Sequence, residues 1–181
     1  DPKMPYFKGD GDDDHLTVEN GEIKVVTNNG MEGTVIATMK ATNKINFSFG
    51  VRDKNNINNR WASHVSWSND QLYFDPGVCC NGPARSIDNK ANLDKWDTYS
   101  FIRAANTSTI RSSLFQKTTS FTGQCIIANS LFAIGFATGA FSTEYATTGF
   151  NEFIMYKTDI VLSQVQEIEA DAKTFWGIIK P

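Results

Sequence analysis

Four side chains between residues 64 and 85 combine aromatic rings with fixed polar groups: His64, Trp67, Tyr73 and Arg85. A sugar offers an apolar ring face, which stacks on aromatic side chains, and hydroxyl groups, which bind imidazole, guanidinium and similar groups. The pattern therefore predicts a ligand-binding site of the carbohydrate-recognition type. The alternative is that the aromatic residues belong to a core. That alternative is favoured for Trp61 and Trp67, which share a face if their strand is unbroken.

An acidic turn near the start of the chain could hold a hard cation. It contains Asp10, Asp12 and Asp14, and calcium prefers several oxygen ligands. The spacing is not that of an EF-hand, because the sixth position is His15 and the twelfth is Gly21. Asp and Gly residues also suit a tight, solvent-exposed turn, and that interpretation is favoured. We therefore expect no cofactor, with calcium at the acidic turn as the alternative.

Residue patterns suited to catalysis are weak in this sequence. Glycosidases that retain configuration need two carboxyl groups about 5–5.5 Å apart, which positions i and i+4 of a strand can provide. The similar string that runs from Glu167 to Asp171 falls in a predicted helix, where we expect a solvent-exposed face. Neither His15 nor His64 lies beside a nucleophile motif. The sequence therefore predicts a domain that is not an enzyme.

Length and composition fit one domain over residues 1–181. Hydrophobic residues make up 40% of the chain, which is enough for a sizeable core. The formal net charge of −3 gives no reason to expect a basic surface for nucleic acid. The chain contains no run of about 18 apolar residues, so no membrane span is predicted. Because the chain opens on Asp1, we expect a processed protein or part of a larger one. Cys79 or Cys80 could form one disulfide with Cys125, and no zinc site is expected.

Period-two alternation predicts strands along most of the chain. It is clearest in residues 149–157, where Phe150, Glu152, Ile154 and Tyr156 fall on one face. Residues 60–75 are interpreted as two strands joined by a turn at 68–70 and followed by a loop at 76–85, whose rim is the expected place for His64 and Arg85. Further strands are predicted at residues 34–40, 45–52, 96–103 and 131–135.

One short amphipathic helix is predicted after the last strand. Ser163 and Gln166 have the spacing of a capping box, which predicts where the helix begins. Gly177 stands where a left-handed residue would end the helix. Apolar residues at helical spacing predict one buried stripe: Val165, Ile168, Ala172, Phe175 and Trp176.

Several short motifs, taken in order, resemble the laminin-G-like, concanavalin A-like lectin/glucanase superfamily. They are an opening strand with the acidic turn at residues 6–18, a block at 64–75, a strand at 96–103, and a closing strand at 149–157 followed by Leu162-Ser163. The sequence departs from the usual motifs at Lys8, where Asp is common, and at Ser66, where Pro is common. The resemblance implies an all-β fold: a concanavalin A-like jelly-roll sandwich of two antiparallel sheets with one short C-terminal helix.

The resemblance and the candidate site together lead to three functional hypotheses. The first is a non-enzymatic glycan-binding or adhesion domain, displayed on an extracellular protein or a virion surface, whose partner is a glycan or glycoprotein. The second is a structural virion or fibre module that contacts other protein chains. The third is a glycan hydrolase, which the lack of paired carboxylates disfavours.

Overall fold

The computed structural model describes residues 5–18, 30–41, 47–53, 55–56, 58–79, 86–121, 132–135 and 145–178. This part of the chain forms twelve strands in two six-stranded sheets, and its one α-helix is not long and apolar enough to cross a membrane. In chain order the elements are β1 (Phe7–Lys8), β2 (Leu16–Val18), β3 (Gly33–Lys40), β4 (Phe49–Arg52), β5 (Asn59–His64), β6 (Gln71–Val78), β7 (Ser86–Asp88), a 3₁₀ turn (Lys90–Asn92), β8 (Trp96–Ala104), β9 (Thr107–Arg111), β10 (Gln116–Ser120), β11 (Phe132–Ile134), β12 (Gly149–Tyr156) and α1 (Leu162–Phe175).

The first sheet has the strand order β1-β12-β3-β8-β9-β10, and all neighbours are antiparallel. Its central pair, β3 and β8, is in register from Gly33 opposite Arg103 to Lys40 opposite Trp96. Every residue of β3 except Lys40 is buried, because one face of the sheet packs on the second sheet and the other lies under α1. Such a strand needs apolar or small polar side chains on both faces, as β3 has.

The second sheet has the order β2-β11-β4-β5-β6-β7 and is also antiparallel. The predicted jelly-roll sandwich is therefore confirmed. Alternation sends one set of side chains of β4, β5 and β6 into the core, namely Phe49, Val51, Trp61, Leu72 and Phe74. The opposite set lies on the outer face of the sheet and consists of Gly50, Arg52, Arg60, Ala62, His64, Tyr73 and Asp75.

Aromatic side chains fill the space between the two sheets. The Phe49 ring lies edge-on to Phe101, with centroids 5.0 Å apart, and edge-on to Phe153 at 5.3 Å. Trp61 is fully buried and meets Phe74 edge-on at 5.2 Å. Edge-to-face contacts of this kind add to the stabilisation from burial itself. The core assignment favoured for Trp61 is confirmed.

Helix α1 covers the outer face of the first sheet through part of the predicted stripe. Val165 is fully buried against Ile36 and Ile102. Phe175, predicted to be buried, is instead 74% exposed, because it lies in the last turn. The predicted cap is also wrong: the helix begins one residue before Ser163 and has no side-chain cap.

The predicted end of α1 is confirmed. Gly177 has φ +63°, and its N–H donates to Thr174 O at 3.2 Å, while Ile178 N–H donates to Lys173 O at 2.8 Å. This pair of bonds is a Schellman motif, which satisfies carbonyls at the helix end. It also turns the chain back toward the first sheet at Ile178.

A buried ion pair joins α1 to the first sheet. Glu169, 5% exposed, accepts from Arg111 Nε at 3.0 Å, Arg111 Nη2 at 2.9 Å and Ser100 Oγ at 2.7 Å. The solvent-exposed face expected for the string from Glu167 to Asp171 is therefore wrong at its middle residue. Position 169 lies four residues after Val165 and so falls on the sheet-facing side of the helix.

The two sheets are also linked along one border of the sandwich. Among the described strands, β10 is outermost in the first sheet and β7 in the second. Lys117 Nζ on β10 donates to Ser86 O on β7 at 3.3 Å. Alternate residues of β10 are exposed, and the strand reads Gln-Lys-Thr-Thr-Ser. The border is therefore polar and held by a lysine.

Candidate ligand-binding site

Three of the four predicted site residues lie together on the outer face of the second sheet. His64 and Tyr73 are opposite each other on β5 and β6, and Trp67 lies in the turn between these strands. Ring centroids are 4.5 Å apart for His64 and Trp67 and 6.4 Å apart for Trp67 and Tyr73, both in edge-to-face geometry. At the other end, Phe47 lies 3.9 Å from the His64 ring. We call this row of four rings the aromatic row.

The exposure of these rings differs from what the sequence predicts. His64 was expected at a rim, but it is only 4% exposed, because Phe47 and Trp67 pack on either side of it. Trp67 and Tyr73 are half-buried. Trp67 does not share a face with Trp61, since β5 ends at His64 before Trp67 is reached. The half-buried pair is the part of the row that a ligand can touch.

The turn that carries Trp67 is held by hydrogen bonds within it. Trp67 N–H donates to Gln71 O at 3.0 Å, and Asp70 N–H donates to Trp67 O at 2.9 Å. Asp70 adopts the left-handed conformation, with φ +61°, which Asp tolerates better than most residues. Asn69 Nδ2 donates to the Tyr73 hydroxyl at 2.9 Å. An amide, a phenol and an indole are thus fixed side by side before any ligand arrives.

A chain of buried polar side chains supports this turn from below. Asn89 is fully buried; its Nδ2 donates to Val65 O at 2.5 Å and its backbone N–H to Asp70 O at 2.9 Å. Asn92 Nδ2 donates to Asn89 Oδ1 at 3.3 Å and to Asp97 Oδ2 at 3.1 Å. We call Asn89, Asn92 and Asp97 the buried polar chain. It fixes both ends of the turn, which lowers the ordering cost of binding.

Tyr99 lies beside the buried polar chain. Complete burial of its ring raises the pKa of Tyr99 far above its usual range, and the nearby Asp97 carboxylate raises it further, while the Asn89 side chain acts in the opposite direction. The phenol therefore stays neutral at any ordinary pH. Tyr99 is a structural group of the core and not an acid or base.

Two arginines occupy the buried end of the aromatic row. The guanidinium carbons of Arg52 and Arg60 lie 5.4 and 5.8 Å from the Phe47 ring centroid, within the range of cation–π attraction. Arg60 Nη1 is also 3.8 Å from Asp75 Oδ2. Both arginines are at most 9% exposed and Asp75 is 1% exposed. These charges are fixed at the buried end of the aromatic row, where Arg52 and Arg60 are opposite each other on β4 and β5.

Five residues of this site are not predicted from the sequence: Phe47, Arg52, Arg60, Asn69 and Asp75. The sequence does contain one indication of this set. Arg60 and His64 are four residues apart on one strand, so alternation alone places them on the same face. The contribution of Phe47 could not be read in this way, because it precedes β4. Its position depends on how the chain enters the sheet.

The structure says less about the remaining predicted site residue, Arg85, and about the cysteines. Arg85 lies outside the described residues, as do Cys80 and Cys125. Cys79 is disulfide-bonded and 3% exposed, and it directly follows β6. The strand β6 runs to Val78, so the loop predicted to start at residue 76 begins later.

The acidic turn holds a different trio from the one predicted. Oxygens of Asp10, Asp13 and Asp14 lie within 4.8 Å of one another, and all three residues are exposed. Asp12 is outside this group, and its N–H donates to Asp10 Oδ1 at 2.8 Å. That bond is the side-chain-to-backbone contact of a tight turn, which is what Asp residues commonly provide without a metal. Binding of calcium here stays an untested alternative.

Comparison with solved structures shows the fold. A NanB sialidase variant from Streptococcus pneumoniae matches with a TM-score of 0.63 and 13% identity, over 88% of this chain and 26% of the sialidase. Trypanosoma rangeli sialidase in complex with sialic acid matches with a TM-score of 0.51 and 12% identity, over 80% of this chain and 23% of the sialidase. The SAP-like pentraxin of Limulus polyphemus matches with a TM-score of 0.52 and 14% identity, over 77% of this chain and 70% of the pentraxin.

These neighbours support a concanavalin A-like sandwich and do not single out the laminin G type. The chain spans about a quarter of the length of the sialidases that it matches. No protein-family model matches the sequence, and no curated protein matches it in sequence.

Proposed function

We propose that this chain is a non-enzymatic glycan-binding domain that serves adhesion, displayed on an extracellular protein or a virion surface. The observation that carries the proposal is the exposed end of the aromatic row, where Trp67, Tyr73 and Asn69 are held side by side. The sialidases and the pentraxin support the proposal only by sharing the fold.

A pyranose ring needs an apolar surface for its ring face and polar groups for its hydroxyls. The indole of Trp67 offers a face for the apolar side of the sugar, and the Asn69 amide and Tyr73 hydroxyl offer polar groups for its hydroxyls. The site is shallow, so one copy should bind weakly, with Kd on the order of 0.1–1 mM. Several copies on one surface would raise the avidity without new contacts.

The test is binding of the whole chain to a glycan array that includes neutral and sialylated glycans. For a glycan that binds, Trp67→Ala and Asn69→Ala should each weaken binding at least tenfold, about 1.4 kcal/mol. Phe175→Ala is the matched control, since it removes an exposed aromatic ring far along the chain on α1. Melting curves of all variants establish that the fold is intact. Arg85→Ala tests the one predicted residue that the structure does not describe, and should also reduce binding.

Two results would overturn the proposal. Undiminished glycan binding by folded Trp67→Ala and Asn69→Ala variants would remove the aromatic row from the site. A chain that binds no glycan, but retains its fold, would favour the structural module that contacts other proteins. Release of a labelled sugar from polysaccharide or from a fluorogenic sialoside would instead favour the hydrolase.

A further inference from the structure

A second concave site lies where the end of α1 meets the start of β8. It has a volume of about 530 Å³ and is lined by residues that include Asn92, Lys95, Trp96, Leu114, Lys173 and Ile178. Pockets of this size typically hold small molecules. The site shares no lining residue with the aromatic row.

Each wall of this pocket has a separate structural cause. The Schellman motif at the end of α1 places Ile178 on one side, and Lys173 comes from the last turn of the helix. The short turn between β9 and β10 brings Leu114, which is 50% exposed. Trp96 opens β8 and meets Tyr6 edge-on at 5.4 Å, which fixes the plane of its indole. The walls are therefore held before a ligand binds.

The floor of the pocket is Asp97, whose charge is already satisfied. It is 2% exposed and accepts from Thr98 N at 2.9 Å, from Ser113 N and Oγ at 2.9 and 2.8 Å, and from Asn92 Nδ2 at 3.1 Å. Lys173 Nζ is 3.8 Å from Asp97 Oδ1. A carboxylate with this many donors does not need a cation from a ligand.

The groups left for a ligand are mainly donors. Within the described residues, the Trp96 indole N–H and the Lys95 ammonium make no hydrogen bond or ion pair. Among the described lining residues, two lysines and one aspartate are charged, which gives a net charge of +1. The other walls at Leu114 and Ile178 are apolar. The lining thus complements a molecule with an apolar body and one negative group.

We propose that this pocket binds a small aromatic monoanion, a carboxylate or sulfonate on a ring system. The ring lies among Trp96, Leu114 and Ile178, and the anion is bound by Lys95 with help from the indole N–H. A glycan suits this pocket poorly, because its many hydroxyls would lie against apolar walls without partners.

The experiment uses two fluorescent probes that differ by one group. The anion 1-anilinonaphthalene-8-sulfonate carries the sulfonate, and N-phenyl-1-naphthylamine is its neutral counterpart. Titrated into the native full chain at neutral pH, the sulfonate should bind one per chain and at least threefold more tightly than the neutral probe. Lys95→Met should remove this preference, and Leu114→Asp should weaken both probes at least tenfold. Lys157→Met, which removes an exposed lysine outside the pocket, is the matched control for charge and should change neither.

Several outcomes would overturn the inference. They are equal affinity of the two probes, binding that survives Leu114→Asp in a folded variant, and loss of binding in Trp67→Ala, which would place the probe on the aromatic row. Binding only after residues 179–181 are deleted would also overturn it, since those residues would then be the natural occupant. Lys95 and Leu114 lie outside the aromatic row, and glycan binding is measured with a different ligand, so failure here leaves the proposed function untouched.

Discussion

Glu169→Ala provides the sharpest test of how α1 is attached to the sandwich. The substitution removes three hydrogen-bond acceptor contacts, two from Arg111 and one from Ser100. The Arg111 side chain, 11% exposed, would keep its contact with Gln116 but lose its counter-charge. Removing one partner of a buried pair typically destabilises a protein by about 3–5 kcal/mol, because the other charge stays buried. For a domain of this size that corresponds to a fall in melting temperature of about 6–20 °C.

Urea unfolding measures this change directly, through the midpoint at constant slope. Glu167→Ala is the matched control, since it removes a carboxylate of the same helix that is exposed, and it should change stability by less than about 0.5 kcal/mol. Glu169→Met with Arg111→Met should recover most of the loss, because an apolar pair leaves no buried charge. Amide exchange in α1 shows whether the helix detaches locally before the sandwich unfolds.

A loss of stability in Glu169→Ala no larger than that in Glu167→Ala would refute a stabilising role for the buried ion pair. That role is also refuted if the double variant is less stable than Glu169→Ala alone. The first result would mean that water reaches the pair readily. The second would mean that the shape of the two side chains, and not their charge, holds the helix to the sheet.

Burial and hydrogen bonding also determine the expected effects of substitutions at Val165, Phe175, Asn89 and Tyr99. Val165→Ala should destabilise the fold by about 2 kcal/mol and Phe175→Ala by less than about 0.5, because only the first residue is buried. Calorimetry should show this order, and the reverse order would mean that Phe175 is buried in solution. Asn89→Ala should lower the free energy of unfolding by about 1–3 kcal/mol, because Val65 O loses its donor. It should also weaken glycan binding, and unchanged binding would mean that the turn carrying Trp67 is not part of the glycan site. Burial raises the pKa of Tyr99 in the folded state. Its contribution to stability is therefore complete below about pH 10, the pKa of an unfolded tyrosine, and falls above that pH by up to about 1.4 kcal/mol per pH unit. Urea midpoints at high pH should fall more steeply for the wild type than for Tyr99→Phe, and equal slopes would contradict this prediction.

Much of the fold could be predicted because it depends on local patterns. Alternation placed β12 and β8 close to their actual limits, and Gly177 marked the end of α1 correctly. The exposure of Phe175 could not be predicted from helical spacing alone. The stripe shows which residues share a face, but it does not show where the sheet beneath the helix ends.

The candidate site was predictable only in part, for a similar reason. The sequence separates His64, Trp67 and Tyr73 by short intervals, so a hairpin brings them together without any long-range information. Phe47 and Arg52 reach them through the pairing of β4 with β5, and Asn89 reaches the turn from beyond β7. Such contacts depend on sheet order, which single-sequence patterns do not contain.

The lysine on β10 has a consequence for how this protein behaves when crowded. An outermost strand presents backbone donors and acceptors that can template pairing with another chain. On β10 these groups are flanked by polar side chains, and Lys117, the second of its five residues, places a charge along the strand while its ammonium donates to Ser86 O. Another molecule that docked edge to edge would have to bury that charge or break its bond. The same five residues that add little to the core therefore discourage aggregation, and their effect is to be sought in solubility and not in the melting temperature.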